Sequence, residues 1–193
     1  MGKGRKELER SEKRILHRLK CVDYHQLMWK QTGFGVREFE LFSGEDLEAR
    51  LYWPKWLSDF AVAECGDGRW GMDRVGFFRD RAVAMDAGTD TEVASVTFDW
   101  AGDSKIKLSN GRKYQFFKTG ILSNNWSFVD ENEDMLFEIR EGMRLFKHDA
   151  EIDLQVGVIM IQELPLLILL SWYLGYMQLQ DAAAAAAAVS AAS

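Results

Sequence analysis

Cysteine is nearly absent: Cys21 and Cys65 are the only two in 193 residues, far apart and outside any CxxC arrangement. That usage argues against a disulfide framework or a zinc site and fits reduced cytosolic thiols. Histidine is almost as scarce, with His17, His25 and His148, so no His/Cys cluster has metal-ligand spacing. There is no GxSxG, no Walker A and no GxGxxG between a strand and a helix. Paired carboxylates are too common among thirty Asp and Glu to indicate glycosidase chemistry. The expectation is a protein that is not an enzyme, with no catalytic residue, no metal and no cofactor.

Other signals are missing too. No apolar stretch follows the N-terminus, so a secretory leader is not expected and the location is read as cytoplasmic. Met1-Gly2 invites myristoylation, but that pattern wants Ser or Thr where Lys6 stands. Positive charge is short overall, at 24 Lys and Arg against 30 Asp and Glu, and it is unevenly placed. Residues 1–20 hold eight basic side chains against three acidic ones, or +5, and the remainder carries 16 against 27, or −11. An acidic body with a basic arm argues against nucleic acid as a partner of the folded part.

That arm, residues 1–22, is one unit of the expected organisation; residues 23–193 form the other. Arg5 to Lys20 favours a short helix with a thin stripe of Leu8, Ile15, Leu16 and Leu19. Glu9 and Lys13 stand four apart in the favourable order. Such a segment is either a solvated helix capping the body or a basic amphipathic piece that touches anionic membrane.

From Tyr24 onward the hydrophobic period becomes two. Leu47, Ala49, Leu51 and Trp53 form one dry face, Ala94, Val96, Phe98 and Trp100 a second, and Met135, Phe137 and Ile139 a third. A fourth comprises Phe146, His148, Ala150, Ile152 and Leu154. Alternation of this kind marks half-buried strands. Turn signals at short intervals leave no room for helices between strands, so the connections are hairpins and the sheet is antiparallel. For the hairpin at Asn110-Gly111, a three-residue loop of Asn110, Gly111 and Arg112 brings the two dry faces into agreement. It sets Leu108 opposite Tyr114 and Ile106 opposite Phe116, with Gly111 in the left-handed position of a bulged turn. About twelve strands fit between Tyr24 and Leu154, and a sheet of that size tends to curl or close.

The filling for such a barrel is the stretch Leu164 to Met177, in which Ser171 is the only polar side chain besides tyrosine. A helix apolar all round is buried. At 1.5 Å per residue its fourteen positions reach about 21 Å, short of a roughly 30 Å hydrocarbon core. No transmembrane span is therefore expected. Pro165 suits the first turn. Gly175 and the alanines at 182–188 would let barrel walls approach closely, and propensity continues the helix at least to about Val189. The expected fold is mainly β: a closed antiparallel barrel of about twelve strands around a buried hydrophobic C-terminal helix, with a short N-terminal helix.

Gly76-Phe-Phe-Arg-Asp-Arg-Ala-Val-Ala-Met-Asp86 followed by Glu92-Val-Ala-Ser-Val96 is similar to a pattern of the LURP-one-related proteins. There, a strand ending in Asp leads through a turn to a strand beginning Glu-Val-Ala. Ser109 to Tyr114, Met135 to Ile139 and the terminal helix are consistent with it. On these residues the chain resembles the tubby C-terminal-like superfamily, which also includes the phospholipid scramblases. The resemblance implies a binding or membrane-linked protein. Tubby domains bind phosphoinositide head groups with basic surface residues, and scramblases are associated with calcium and lipid movement. The cysteine-rich palmitoylation segment and proline-rich N-terminus of scramblases are not found here.

Lys105, Lys107 and Lys113 share the outer face of the expected hairpin, with Arg112 at its tip and Phe117 and Lys118 beyond. These six are the candidate lipid-binding residues, because cations attract an anionic phospholipid or phosphoinositide head group and an exposed ring enters the interface. The plainer reading is that the lysines keep a strand soluble and block edge pairing. Asp130 to Glu141 matches calcium-loop spacing but has Met135 where the loop needs Gly. Asp149, Glu151 and Asp153 share a face that reads as solvated surface. The preferred expectation is a non-enzymatic domain that binds anionic lipid at a membrane periphery. The alternatives are a scramblase-like transporter inserted through Leu164 to Met177, and a structural or protein-interaction domain without a small ligand.

Overall fold

The structure is a computed structural model that describes residues 19, 27–76, 80–99, 103–120, 124–144 and 147–192. The expected N-terminal helix lies outside the described residues apart from Leu19, whose side chain is fully buried. Trp100 and Phe146, expected on dry faces, also lie outside them.

Twelve strands follow one another: β1 (Leu27–Gln31), β2 (Glu38–Ser43), β3 (Asp46–Tyr52), β4 (Ala61–Cys65), β5 (Gly68–Val75) and β6 (Arg81–Asp86). The second half comprises β7 (Thr91–Phe98), β8 (Ser104–Leu108), β9 (Lys113–Thr119), β10 (Asn125–Asp130), β11 (Met135–Arg144) and β12 (Lys147–Leu154). Each pairs antiparallel with its predecessor, and β12 returns to β1 through Leu27↔Ile152 and Trp29↔Ala150, closing the barrel. Closure removes every exposed sheet edge. It also removes the edge-blocking reading of the lysines on β8 and β9, since both strands are paired on either side.

The helix α1 (Leu164–Ala192) enters this barrel and fills it. Every residue from Leu164 to Met177 is buried, with Pro165 in the first turn. Trp172 stacks on Trp29 at 6.1 Å between ring centres and meets Phe39 edge-on at 5.4 Å. Two of its hydroxyls find carbonyl acceptors: Ser171 Oγ donates to Ile168 O at 2.8 Å, and Tyr173 Oη to Asp59 O at 3.1 Å. Since the segment proposed as a membrane span is the barrel's core, the scramblase-like reading loses its span. No helix among the described residues is long and apolar enough to cross a membrane.

Three details differ from expectation for geometric reasons. Ala182–188 are exposed rather than packed against barrel walls, although α1 does continue past Val189 as predicted. Strands of five to ten residues, at about 3.3 Å per residue and tilted as barrels require, stand only about as tall as fourteen helical residues. Beyond Leu179 the helix has therefore left the barrel. Second, the dry-face alternation slips at bulges, each of which inserts one residue into a strand. The slip between Leu41 and Phe42 buries Glu48 and half-exposes Leu47; that between Phe128 and Val129 buries Leu136 and leaves Met135 45 % exposed.

The β8–β9 hairpin has a three-residue loop, displaced by one residue from the expected one. Lys107 pairs with Lys113 and Ile106 with Tyr114, while Leu108 N donates to Arg112 O at 2.9 Å. The loop is thus Ser109, Asn110 and Gly111. Gly111 does take the left-handed conformation, at φ 91°. In a bulged three-residue turn the left-handed residue comes last, so the glycine fixes the loop to end at position 111. The slip is even in register, and the dry faces still agree.

Candidate functional site

A groove of about 470 Å³ runs along the outer wall across β7, β8 and β9. Its floor is set by register: Lys107 faces Ser95 on one side and Lys113 on the other, and Lys105 faces Thr97 and Gln115. All six line the groove. Lys105, Lys107 and Lys113 are exposed, and among the described residues none of them forms an ion pair. Two hydroxyls and an amide flank the three ammonium groups, an array suited to oxygen atoms of an anion. Glu131 borders one side and brings the only carboxylate of the lining. Asp103, near the start of β8, has its pKa raised by burial and by Asp99, with Lys105 opposing.

The structure brings together three of the six residues expected from the sequence, and separates the rest. Arg112 turns away to Glu163, its Nη1 donating to Oε2 at 2.9 Å, and Asn110 Nδ2 donates to the other carboxylate oxygen. The Tyr114 hydroxyl and then the Glu163 carboxylate push the Arg112 pKa up further. Phe117 shares the outward phase of β9 but is half-buried and lies beyond the groove lining. Lys118 falls on the inward phase with Tyr114 and Phe116 and reaches solvent at the strand's end, paired with Trp126. Sequence reading missed Ser95, Thr97 and Gln115. Alternation had put Ser95 and Thr97 on the wet face; only the β7–β8 register shows which lysine each meets.

Exposed aromatic side chains do occur, but elsewhere. Phe34 is 75 % and Trp56 64 % exposed, and both sit where α1 leaves the barrel, beside Arg37 and Met177. Arg37 holds the Trp56 loop by donating from Nη1 to Trp56 O at 2.8 Å and Ser58 O at 3.0 Å.

The acidic candidates resolve differently. Asp130 Oδ1 accepts from the backbone N–H groups of Asn132 and Asp134, closing the β10–β11 turn. Glu141, the twelfth place of the calcium spacing, is inside the barrel mouth and accepts from Asn124 Nδ2 at 2.8 Å. The two ends of that spacing do not converge on one ion. Asp153 pairs with Arg140 at 3.2 Å on the outer wall. His148 is a rim residue, its Nδ1 2.6 Å from Glu141 Oε1.

No protein-family model, curated protein or solved structure matches the chain.

Proposed function

We propose that the chain is a non-enzymatic binding domain of the tubby and LURP-one-related kind, whose β7–β8–β9 wall takes the anionic head group of a phospholipid at a membrane surface. The observation that carries this is the direct pairing of Lys107 with Lys113, with Lys105 next to them on the same face. Like charges directly opposite one another in a sheet are destabilising. Neither the core nor an edge requires lysine there, because the positions are exposed and the barrel is closed. An anion in the groove offsets that repulsion. The closed barrel around a terminal helix supports the superfamily part of the reading.

Each lysine near an anionic surface contributes about 1 kcal/mol, so three together change partitioning roughly a hundred-fold. The test is sedimentation with neutral and with phosphoinositide-doped liposomes. The protein should pellet with the doped vesicles alone, and raised salt should release it. Lys105→Glu with Lys107→Glu should abolish pelleting. Undiminished pelleting of that variant would remove the groove from the site.

A further inference from the structure

A second cavity, of about 630 Å³, opens at the end of the barrel from which α1 emerges. It is separate from the lysine groove: β2, at whose start it lies, and β8 stand six places apart in the twelve-strand ring. Its base is polar and tightly held. Gln31, Glu141 and His148 continue the phases of Trp29, Ile139 and Ala150 on β1, β11 and β12 toward this end. Glu141 has a side chain only 5 % exposed, and both carboxylate oxygens are used: Oε2 accepts from Asn124 Nδ2, Oε1 from His148 Nδ1. Gln31 Oε1 accepts from the His148 backbone N–H at 2.9 Å, and Gln31 Nε2 donates to Val36 O at 2.7 Å. Tyr176 packs edge-on against the imidazole at 5.8 Å.

This network determines what His148 presents to the cavity. With Nδ1–H directed at a carboxylate, the neutral ring holds its lone pair on Nε2. Among the described residues Nε2 has no protein hydrogen bond, and it is not among the enclosed polar atoms. The ring lines the cavity, so its open edge is an acceptor there. Around that acceptor the lining is mixed: Phe34, Trp56, Leu57 and Met177 give an apolar side, with Leu57 92 % exposed, and Arg37, Asp59, Gln180 and Asp181 a polar one. Arg37 holds the loop that carries Trp56 by donating to its carbonyl, reaches Met177 Sδ at 3.8 Å and lies 4.7 Å above the Trp53 ring. An oriented acceptor beside a group of exposed apolar side chains forms a concave site for a ligand with a hydroxyl donor and an apolar body.

We infer that the barrel mouth is a binding site for an apolar alcohol, whose hydroxyl donates to His148 Nε2 while its hydrocarbon body lies against Phe34, Trp56 and Leu57. The site is independent of the lysine groove and of any head group bound there.

The inference makes a specific demand on Glu141→Gln. Asn124 Nδ2 would hold the new amide oxygen where Oε2 now is, which turns the amide NH2 toward Nδ1. Nδ1 then accepts, the ring proton moves to Nε2, and the cavity's acceptor becomes a donor. The probes are 1-octanol and its isomer heptyl methyl ether, which lacks the hydroxyl donor. Binding is followed by the 15N resonances of His148 and by Trp56 fluorescence, at about pH 9, above the ordinary imidazole range. The wild-type chain should bind the alcohol about five- to ten-fold more tightly than the ether, one hydrogen bond's worth. In Glu141→Gln that preference should fall to near parity, with the Nε2 resonance moving to the protonated type. Leu57→Ser and Phe34→Ala, both at exposed positions, should weaken the two isomers equally; Lys107→Ala should change neither. Failure of either isomer to bind, equal binding by the wild type, or an unchanged preference in Glu141→Gln would overturn the inference. Loss of vesicle binding by the lysine variants would leave it standing.

Discussion

Arg112 Nη1 lies 2.9 Å from Glu163 Oε2, joining the tip of the β8–β9 hairpin to the residue just before the central helix. Asn110 reaches the same carboxylate, and Leu167 N donates to Glu163 O at 3.0 Å in the helix's first turn. The contact bridges about fifty residues and brings the hairpin over the end of the barrel where the helix begins. It also makes a cation that looked like part of a lipid site into a structural clasp.

Two results should therefore separate Arg112 from the lysines. Arg112→Ala should retain most vesicle binding, while Lys107→Ala with Lys113→Ala should lose it. Glu163→Ala should speed amide exchange severalfold at Gly111, whose N–H donates to Leu108 O at 3.0 Å, without altering exchange at Phe128. Equal loss of binding in Arg112→Ala and in the lysine pair would return Arg112 to the binding surface.

Gly175 offers a stabilising change. It lies in the buried part of α1, where an added Cβ would meet the Trp126 and Phe116 rings at 3.6 and 3.7 Å, which is ordinary contact. The close approach expected of this glycine is not needed. Gly175→Ala should stabilise the fold by about 0.5–1 kcal/mol through helix propensity, read as a higher urea midpoint with an unchanged slope. A lower midpoint would mean the rings cannot tolerate the methyl group.

The helix should also divide sharply in its tolerance. Leu170 is fully buried and Ala185 is exposed beyond the barrel mouth. Leu170→Ala should cost about 2–5 kcal/mol, as deletion of buried methyl groups does. Ala185→Ser should stay within about 0.5 kcal/mol of wild type. A large loss at Ala185 would imply that the projecting segment packs on something in solution.

The barrel was legible because its two signals are long-range averages. Period-two alternation recurred in segment after segment, and one helix had no wet face. Single-residue placements were not legible wherever a bulge or turn shifted the phase by one. Glu48 and Leu136 are buried against their pattern for that reason, and the loop ending at Gly111 depended on which position carries positive φ. Glu141 is a different case. The dry phase of Phe137 and Ile139, extended by two residues, points it inward, but the sequence reading takes it only as the twelfth place of a calcium spacing that Met135 breaks. Register across strands is what no local pattern contains: the meeting of Lys107 with Lys113 depends on how the β8–β9 hairpin is set, and that of His148 with Glu141 on the β11–β12 register.

Cys65 gives the fold a measurable alkaline limb. Its thiol is 8 % exposed at the end of β4, accepting from Asp67 N at 3.4 Å. Burial pushes its pKa from 9.0 to about 11, because the thiolate would lose its hydration. The folded state therefore holds this proton more tightly than the unfolded chain does. Its contribution is complete below about pH 9, declines as pH rises, and is lost on passing through about pH 11. The total is on the order of 2–3 kcal/mol. Tyr173 and Tyr176 are raised by burial as well and add alkaline losses of the same sign, so the wild-type slope alone is not diagnostic. Cys65→Ala isolates the thiol: urea denaturation at successive pH values should show the wild type losing stability faster than the variant between about pH 9 and 11. Parallel curves would mean that the thiol binds its proton equally in both states, and the burial argument for Cys65 would fail.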